Sequence, residues 1–378
     1  MKVSMQYCKE YNLGILREKT EQILSDLGGW EKFFYPGERV LIKPNLLTKK
    51  RPDEAATTHP AVIKALAGFL IEKGMHVTIG DSPGGPFTSR MLNGIYRATG
   101  MEEAAKETGA SLNRNFAAFT ANNPKGLIMK KLTLADMLND ADKVICVAKL
   151  KTHAMMTYTG AVKNMFGAVP GVAKAEYHMN MPDYNNFADA LIDICLGANP
   201  VLSFIDGIVG MEGNGPASGM PVNTGALLAS ESPYHLDFAA CRLIGISFDD
   251  VPMLKRLEER GIAGFDEIEF VGEPFEKFQC VPYKRPPITI VSLNNPRIPG
   301  FVRSFAARFV QTRPIFDREI CNGCGICKES CPVKIIQITN NKAAADYKNC
   351  IRCYCCQELC PKKAIGVRRP FLSKILRW

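Results

Sequence analysis

The sequence predicts an α/β protein with a mostly parallel sheet and helices on both faces, followed by a small C-terminal α+β domain. Segments with strand character alternate with helical segments over the first 280 of the 378 residues, as in repeated βαβ units. Nine of the 14 cysteines then lie after residue 320, in two copies of one spacing. A chain of this length also exceeds the usual size of a single core, which favours two domains.

The first βαβ unit lies between residues 39 and 85. Its strands are predicted at RVLIKPNLL and at MHVTIGDSPGG, which ends in a glycine-rich exit. The segment THPAVIKALAGFLIEKG predicts the helix between them, with Thr58 as N-cap, Pro60 in the first turn and Gly74 at the end. Later strands are predicted at KVICVAKL, VLSFIDGIV and GALLAS, and later helices near residues 88–108, 183–197, 233–245 and 250–260.

The domain organisation follows from composition. Residues 1–280 form the predicted α/β body, which could bind a substrate, and residues 281–314 form a proline-rich linker with an amphipathic helix. Residues 315–367 form the cysteine-rich domain, and residues 368–378 a basic tail. The linker helix carries an aromatic stripe that either packs on a domain or lies on a membrane surface, formed by Phe301, Phe305 and Phe309.

The sequence indicates where in the cell the protein is expected. No apolar run approaches 18 residues and the N-terminus lacks a signal-peptide segment, so we expect a cytoplasmic protein without a transmembrane segment. Disulfides are not expected in such a chain. We expect the five cysteines before residue 320 to be buried apolar side chains: Cys8, Cys146, Cys195, Cys241 and Cys280.

Charge is concentrated at the C-terminal end. From Val281 onward the chain carries 18 Lys and Arg against 5 Asp and Glu, whereas the preceding part carries 29 against 33. A basic surface suits an acidic redox protein, a small anionic molecule or a membrane surface. Nucleic acid is not an expected partner, because no recognisable nucleic-acid-binding motif accompanies the charge.

The cysteine repeat reads C-x2-C-x2-C-x3-C-P in both copies. Three cysteines of such a copy bind three corners of a [4Fe–4S] cubane, and the fourth binds the other cluster. Zinc sites and disulfides match this spacing less well. One cluster is predicted on Cys321, Cys324, Cys327 and Cys360. The second is predicted on Cys350, Cys353, Cys356 and Cys331, with Cys355 as a non-ligand. This segment resembles a bacterial-type two-cluster ferredoxin module, which passes single electrons and can hold two.

Two segments of the body predict substrate-binding residues at strand ends. Lys43 and Asn45 follow the first strand of the βαβ unit, and Asp81 and Ser82 follow the second. Open α/β sheets bind ligands at this edge. An alternative is that these residues are a solvated lysine and ordinary turn residues. The glycine-rich exit lacks both G-x-G-x-x-G and a Walker A motif, so the sequence does not indicate a nucleotide site.

A third segment, KLKTHAMMTYTGAVKNMFGAVPGVAKAEYH, predicts the catalytic residues His153, Lys163 and His178. Lys151 and Asn164 are the predicted substrate-binding residues of this segment. Its clustered lysines suit a carboxylate or phosphate, and histidine exchanges protons near neutral pH. The alternative is a set of separate surface lysines and structural histidines. The loop DGIVGMEGNGPASGMP adds Glu212 and Asn214 as substrate-binding candidates, or is simply a mobile loop.

The motifs IKPN, GDSP, KLKTH, GAVKNMFG and DGIVGMEGNGP, with the terminal cysteine repeat, resemble the family called domain of unknown function 362, often fused to ferredoxin modules. The resemblance implies an iron–sulfur protein with an α/β body and supplies no reaction. More remotely, His153, Lys163 and His178 are similar to the pattern of nickel-pincer lactate racemases. In that family a lysine tethers the cofactor, and histidines ligate nickel or move protons. The flanking residues differ here.

Two functional hypotheses follow. In the first, the protein is an oxidoreductase whose two [4Fe–4S] clusters exchange electrons with a small, anionic or carbonyl-bearing substrate in the body. Lys43, Asn45 and Lys163 would position the substrate, and His153 or His178 would give or take a proton. In the second, the protein is an electron carrier or scaffold that docks an acidic redox protein without substrate chemistry. A flavin could link one-electron and two-electron steps, although no motif requires one.

Overall fold

The computed structural model describes residues 1–368 except 86, 172, 182, 279–281 and 287–311. The strands of the body are β1 (Lys2–Tyr7), β2 (Arg39–Pro44), β3 (His76–Ile79), β4 (Ser111–Leu112), β5 (Ala118–Asn122), β6 (Lys131–Ala135), β7 (Lys143–His153), β8 (Thr157–Thr159), β9 (Leu202–Glu212), β10 (Met220–Ser230) and β11 (Glu269–Gly272). Its helices are α1 (Leu13–Asp26), α2 (Pro60–Glu72), α3 (Ser89–Ala98), α4 (Met101–Thr108), α5 (Ala161–Asn164), α6 (Lys174–Asn180), α7 (Tyr184–Ala198), α8 (Pro233–Leu243) and α9 (Pro252–Glu259).

The body is organised around one sheet of nine strands in the order β11-β1-β10-β9-β7-β2-β3-β4, with β8 paired to β7. Neighbours β9, β7, β2, β3 and β4 run parallel, as do β1 and β11. Strand β10 is antiparallel to both β9 and β1, and β8 is antiparallel to β7. The predicted mostly parallel α/β sheet is therefore confirmed.

Alternation along the central strands explains why helices cover both faces. In β7, Cys146 and Ala148 pack into the core on one side, with residues of α7, α8 and α9. Ile145 and Val147 pack into the core on the other side, with residues of α1, α2 and α3. Successive side chains of a strand point to opposite faces, so a strand that is apolar throughout is buried between two helical layers.

Helix α2 begins one residue later than predicted. His59 is its N-cap, and its Nδ1 accepts a hydrogen bond from the Ala61 backbone N–H at 3.2 Å. The predicted cap, Thr58, instead donates its hydroxyl to the Val147 carbonyl at 2.7 Å and accepts the Asn45 N–H at 2.8 Å. Thr58 therefore ties the loop after β2 to β7 and is not free to cap the helix.

The helix predicted at residues 88–108 is two helices, α3 and α4. Gly100 separates them with a φ of 76°, a left-handed conformation that glycine adopts without a steric cost. The predicted helices near residues 183–197, 233–245 and 250–260 correspond to α7, α8 and α9.

The C-terminal domain is small and mixes short strands with short helices. Its elements are β12 (Arg313–Phe316), α10 (Ile326–Glu329), β13 (Ile336–Thr339), β14 (Lys342–Ala345), α11 (Cys355–Glu358) and β15 (Ile365–Arg368). Strands β12 and β15 pair antiparallel, as do β13 and β14. Strand β12 begins two residues before the predicted start of this domain. The predicted α+β character is confirmed.

Three predicted features lie outside the described residues. They are the burial of Cys280, the aromatic stripe of the linker helix and residues 369–378 of the basic tail. In the part of the chain that is described, no helix combines the length and the apolar character needed to cross a bilayer.

Candidate functional site

The carboxyl ends of β2, β3, β7 and β9 meet at one edge of the sheet, and most of the predicted site residues gather there. Lys43 lies in β2, Asp81 follows β3, and Lys151 lies near the end of β7. The chain then returns through β8 into the four-residue helix α5, which carries Lys163 and Asn164. This edge is where open α/β sheets bind ligands.

A buried ion pair organises the inner part of this edge. Lys43 Nζ lies 2.8 Å from Asp81 Oδ1, and both side chains are at most 5% exposed. Asp81 also accepts the backbone N–H groups of Leu46 and Ser82, each at 2.9 Å. Asn164 Oδ1 accepts a hydrogen bond from Lys43 Nζ at 3.3 Å. These contacts hold the loops after β2 and β3 together.

Asn45 connects the ion pair to Lys151. Its Nδ2 donates to Asn164 Oδ1 at 3.1 Å, and its Oδ1 accepts from Lys151 Nζ at 2.8 Å. Lys151 Nζ also donates to the Ala56 carbonyl at 2.5 Å. Burial lowers the pKa of Lys151 to about 7, against the opposing attraction of the Glu358 carboxylate. Lys151 therefore changes charge near neutral pH.

His153 presents one particular tautomer to the site. Its Nδ1 accepts the backbone N–H groups of Met155 at 3.0 Å and Met156 at 3.2 Å. A neutral imidazole whose Nδ1 accepts carries its proton on Nε2. Burial, and then the Lys163 cation, lower the pKa of His153 well below 6.5, so the ring is neutral at pH 7. A protonated ring nitrogen does not ligate a metal, so this arrangement does not fit the nickel-ligating role suggested by the racemase resemblance.

Lys163 and His178 come together around an aromatic ring. Lys163 Nζ lies 5.8 Å from the centroid of Phe166, and His178 meets the same ring edge-on at 6.0 Å. The His178 ring stacks on Phe187 at 4.5 Å. Burial lowers the pKa of His178 to about 3, with a further contribution from Lys163. Burial also lowers the pKa of Lys163, against the Glu358 carboxylate.

The predicted site residues divide into two groups by their hydrogen bonding. His153 Nε2, His178 Nδ1 and Ser82 Oγ are buried and have no hydrogen-bond partner among the described residues. A buried polar atom without a partner costs about 1–3 kcal/mol, so each such atom needs an explanation, and a ligand supplies one. The others form the supporting network: Lys43, Asn45, Asp81, Lys151 and Asn164.

Lys174 was not predicted as a site residue, although it lies in the third segment of the body, KLKTHAMMTYTGAVKNMFGAVPGVAKAEYH. Its Nζ donates to the carbonyls of Ser82 and Val169, the latter at 2.8 Å. Burial lowers the pKa of Lys174 to about 7. The available signal was spacing, because Lys174 precedes His178 by four residues and so shares its face of α6.

Asp237 was also missed, and no sequence signal marks it, because it lies within the largely apolar helix α8. Its Oδ1 accepts the Tyr158 hydroxyl at 3.1 Å and the Ala161 N–H at 2.6 Å, and its Oδ2 accepts the Val162 N–H at 3.0 Å. Burial raises the pKa of Asp237 to about 7, against these hydrogen bonds. Asp237 therefore fixes the start of α5 and, through it, Lys163.

Glu212 and Asn214 have partners outside the network of Lys43, Asn45 and Lys151. Glu212 Oε2 accepts the Lys284 backbone N–H at 2.8 Å, and its Oε1 lies 3.3 Å from Lys284 Nζ. Asn214 Oδ1 accepts a hydrogen bond from Gln357 Nε2 at 2.6 Å. In this structure both residues fasten neighbouring segments to the body, and their role in substrate binding remains a prediction.

Two cavities in the C-terminal domain are each lined by four cysteines. One is lined by Cys331, Cys350, Cys353 and Cys356. The other is lined by Cys321, Cys324, Cys327 and Cys360. These are the two sets that the spacing predicts, and four thiols around each cavity fit a [4Fe–4S] cluster.

Backbone N–H groups also point at the sulfur atoms of the second of these sets. The Ala343 N–H donates to Cys321 Sγ at 3.3 Å, and the Ala364 N–H donates to Cys360 Sγ at 3.3 Å. Such hydrogen bonds tune cluster potentials. Cys355 is not among the residues that line either cavity, and its thiol contacts that of Cys353. This placement agrees with its predicted role as a non-ligand.

Helix α11 lies against the sheet edge of the body and also carries Cys356, which lines one of the two cavities. Glu358 Oε2 lies 3.8 Å from His153 Nε2, in addition to the contact between Gln357 and Asn214. Tyr354 packs within the core of the body. The C-terminal domain therefore forms one wall of the site.

Comparison with known proteins gives the family. The model of the domain of unknown function DUF362 matches residues 40–242, and a 4Fe–4S dicluster domain matches residues 313–361. A thylakoid-associated protein of Synechocystis sp. is 35% identical over 261 residues, which cover 69% of this chain and 79% of that protein.

Two solved structures are similar in part. The lactate racemase apoprotein from Thermoanaerobacterium thermosaccharolyticum has 13% identity and a TM-score of 0.40, over 64% of this chain and 56% of that chain. A structural-genomics protein from Thermotoga maritima has 16% identity and a TM-score of 0.36, over 61% and 58%. This chain thus spans less than two thirds of either solved chain. From the family matches, the chain belongs to the DUF362 family and carries a 4Fe–4S dicluster domain at its C-terminal end.

Proposed function

We propose that this protein is an iron–sulfur oxidoreductase that acts on a small anionic substrate at the sheet edge. One observation carries the proposal. Helix α11, which supplies Cys356 to one cysteine-lined cavity, also places Glu358 at 3.8 Å from His153 in the body. An electron-transfer domain that closes over buried, unpartnered polar groups is the arrangement expected of a reductase that receives electrons one at a time.

The charge of the site supports an anionic substrate. Burial of a cation is costly unless an anion is near, and the site holds more lysines than carboxylates. Its lysines are Lys43, Lys151, Lys163 and Lys174, and its carboxylates are Asp81 and Glu358. Asp81 is already paired with Lys43. A substrate anion would therefore favour the charged form of the other three lysines, whose pKa values burial lowers.

The roles of the free groups follow from their protonation. Lys163 has no ion-pair partner in the described part of the chain, and would bind the anionic group of the substrate. His153 would donate its Nε2 proton in a hydrogen bond to a substrate oxygen, as a neutral donor. His178, with a pKa of about 3, is neutral at pH 7 and would orient the substrate by a hydrogen bond. When bound, [4Fe–4S] clusters supply and accept single electrons.

A reoxidation assay tests this function. The protein is reduced anaerobically, a small-molecule fraction of a source-cell extract is added, and the recovery of cluster absorbance is followed. The Lys163→Ala variant is compared with Lys106→Ala, which removes an exposed lysine of α4. Recovery that is lost only in Lys163→Ala supports the proposal. Equal recovery in both variants, or none in the wild type, contradicts it.

A second candidate function is electron transfer to another protein without substrate chemistry. Cys324 is exposed, and two exposed apolar residues, Ile320 and Ile326, lie beside it in the sequence. Such a surface suits docking of a redox partner. This function predicts that an acidic electron carrier is reduced equally well by the wild type and by Lys163→Ala, at a rate that falls as salt is added.

A further inference from the structure

The two copies of the cysteine motif place the same acidic residue in different surroundings. Glu329 and Glu358 each lie two residues after the third cysteine of their copy, at the ends of α10 and α11. Glu329 is exposed to solvent. Glu358 lies at the sheet edge, where its side chain is 21% exposed and the neighbouring His153 side chain is 3% exposed. The repeat thus supplies an internal control for what Glu358 does.

Glu358 is the anionic neighbour shared by the cations of the site. Its carboxylate attracts Lys151, Lys163 and Lys174, and it raises the pKa of each against the effect of burial. Its Oε2 lies 3.8 Å from His153 Nε2, which is too long for a hydrogen bond. The carboxylate therefore balances the charge of the site while the Nε2 donor of His153 stays unpartnered.

We propose that Glu358 lies where the carboxylate of a ligand binds, and that the site takes a small carboxylic acid in its anionic form once Glu358 rotates outward. This inference rests on the location given by the proposed function and names the chemical class that the location accepts. The partial exposure of Glu358 places it between solvent and the buried His153. Rotation of this one side chain would therefore both open the site and free its cations.

The proposal predicts that Glu358 opposes the binding of anions. Two carboxylates at one position repel each other, and each competes for the same lysines. Removing the charge of Glu358 therefore strengthens carboxylate binding on the order of 10-fold, allowing for partial solvent screening of the charge. An uncharged molecule of the same shape gains nothing from the change.

The test is calorimetric titration of the cluster-loaded protein at constant ionic strength, with acetate and with acetamide as probes. Three variants are compared with the wild type: Glu358→Gln, Glu358→Ala and the matched control Glu329→Gln. We expect the acetate dissociation constant to fall about 10-fold in both Glu358 variants and to stay unchanged in Glu329→Gln. Acetamide binding should be the same in the wild type, Glu358→Gln and Glu329→Gln, because Gln keeps the shape of Glu and removes only its charge.

Several results would overturn the proposal. One is acetate binding that is equal in the wild type and both Glu358 variants, and another is an equal gain for acetamide. Inorganic phosphate that binds Glu358→Gln more tightly than acetate does would overturn the assignment to carboxylates. The reoxidation assay separates this inference from the proposed function. If the Glu358 variants bind acetate more tightly but reoxidation does not depend on Lys163, only the proposed function is contradicted. If reoxidation depends on Lys163 but the Glu358 variants bind acetate as the wild type does, only the role of Glu358 is contradicted.

Discussion

The Nε2 atom of His153 lies 3.8 Å from Oε2 of Glu358, and the two side chains come from different domains. His153 ends the 11-residue strand β7 of the body, and Glu358 ends a helix whose Cys356 lines a cysteine cavity. Because of this short distance, both domains contribute residues to the candidate site.

Replacing His153 by Phe should lower kcat/KM for the substrate about 100-fold, because the Nε2 donor is lost. His153→Gln keeps an N–H donor and should lose less. Because the pKa of His153 lies well below 6.5, the ring does not titrate near neutral pH. The pH profiles of the wild type and of His153→Gln should therefore have the same shape from about pH 5.5 to about 8. A step near 6.5 that is present only in the wild type would contradict the neutral-donor role.

Adjacent cysteines in α11 should behave differently. Cys356 lines a cavity with three other cysteines, whereas Cys355 does not line it. We expect Cys356→Ser to lose about half of the iron and acid-labile sulfide, because four thiolates hold each cluster. Cys355→Ser should keep the wild-type content. Elemental analysis of anaerobically purified protein gives the answer, and equal iron loss in both variants would contradict the ligand assignment.

Breaking the buried ion pair should be costly to stability. Lys43→Met leaves the Asp81 carboxylate buried without its cation, and we expect a loss of about 3–5 kcal/mol in the free energy of unfolding. The double variant Lys43→Met/Asp81→Asn removes the unpaired charge and should recover part of that loss. Urea unfolding of the wild type, of Lys43→Met, of the single variant Asp81→Asn and of the double variant measures the coupling. Additive effects of the two substitutions would show that the pair does not act as a unit.

His178 should make the fold sensitive to mild acid. Its pKa is lowered from 6.5 to about 3 in the folded protein, so the unfolded state binds one more proton between these values. The stabilisation is complete above about pH 6.5 and is lost as the pH falls towards about 3. His178→Phe keeps the stacking on Phe187 and cannot bind a proton. Between about pH 7 and about pH 5, the wild type should lose about 2 kcal/mol more stability than this variant in urea unfolding.

Much of the fold could be predicted because local patterns determine it. The five residues VICVA of the strand at KVICVAKL are apolar on both faces of the sheet, and the structure buries them between two helical layers. The antiparallel insertion of β10 between β9 and β1 could not be predicted, because strand pairing between distant segments leaves no local pattern. The role of Thr58 could not be predicted for a similar reason. Its hydroxyl donates a hydrogen bond to the distant Val147 carbonyl and therefore does not cap α2.

The candidate site was predictable where chemistry and strand ends coincide. His153, Lys163 and His178 meet at the sheet edge, as their segment suggests. Asp237 and Glu358 could not be identified, because each acts through contacts with residues far away in the chain. Glu358 also resembles Glu329 in its local sequence, and only the docking of the domains distinguishes them.

Helix α11 connects a cysteine-lined cavity to the candidate site. The helix has four residues, one of which lines a cysteine cavity and another of which stands beside His153. Under the proposed function, loss of the cluster that Cys356 would hold also changes the surroundings of Glu358, because both residues belong to one four-residue helix. Iron shortage would then affect the binding side of the site as well as its supply of electrons.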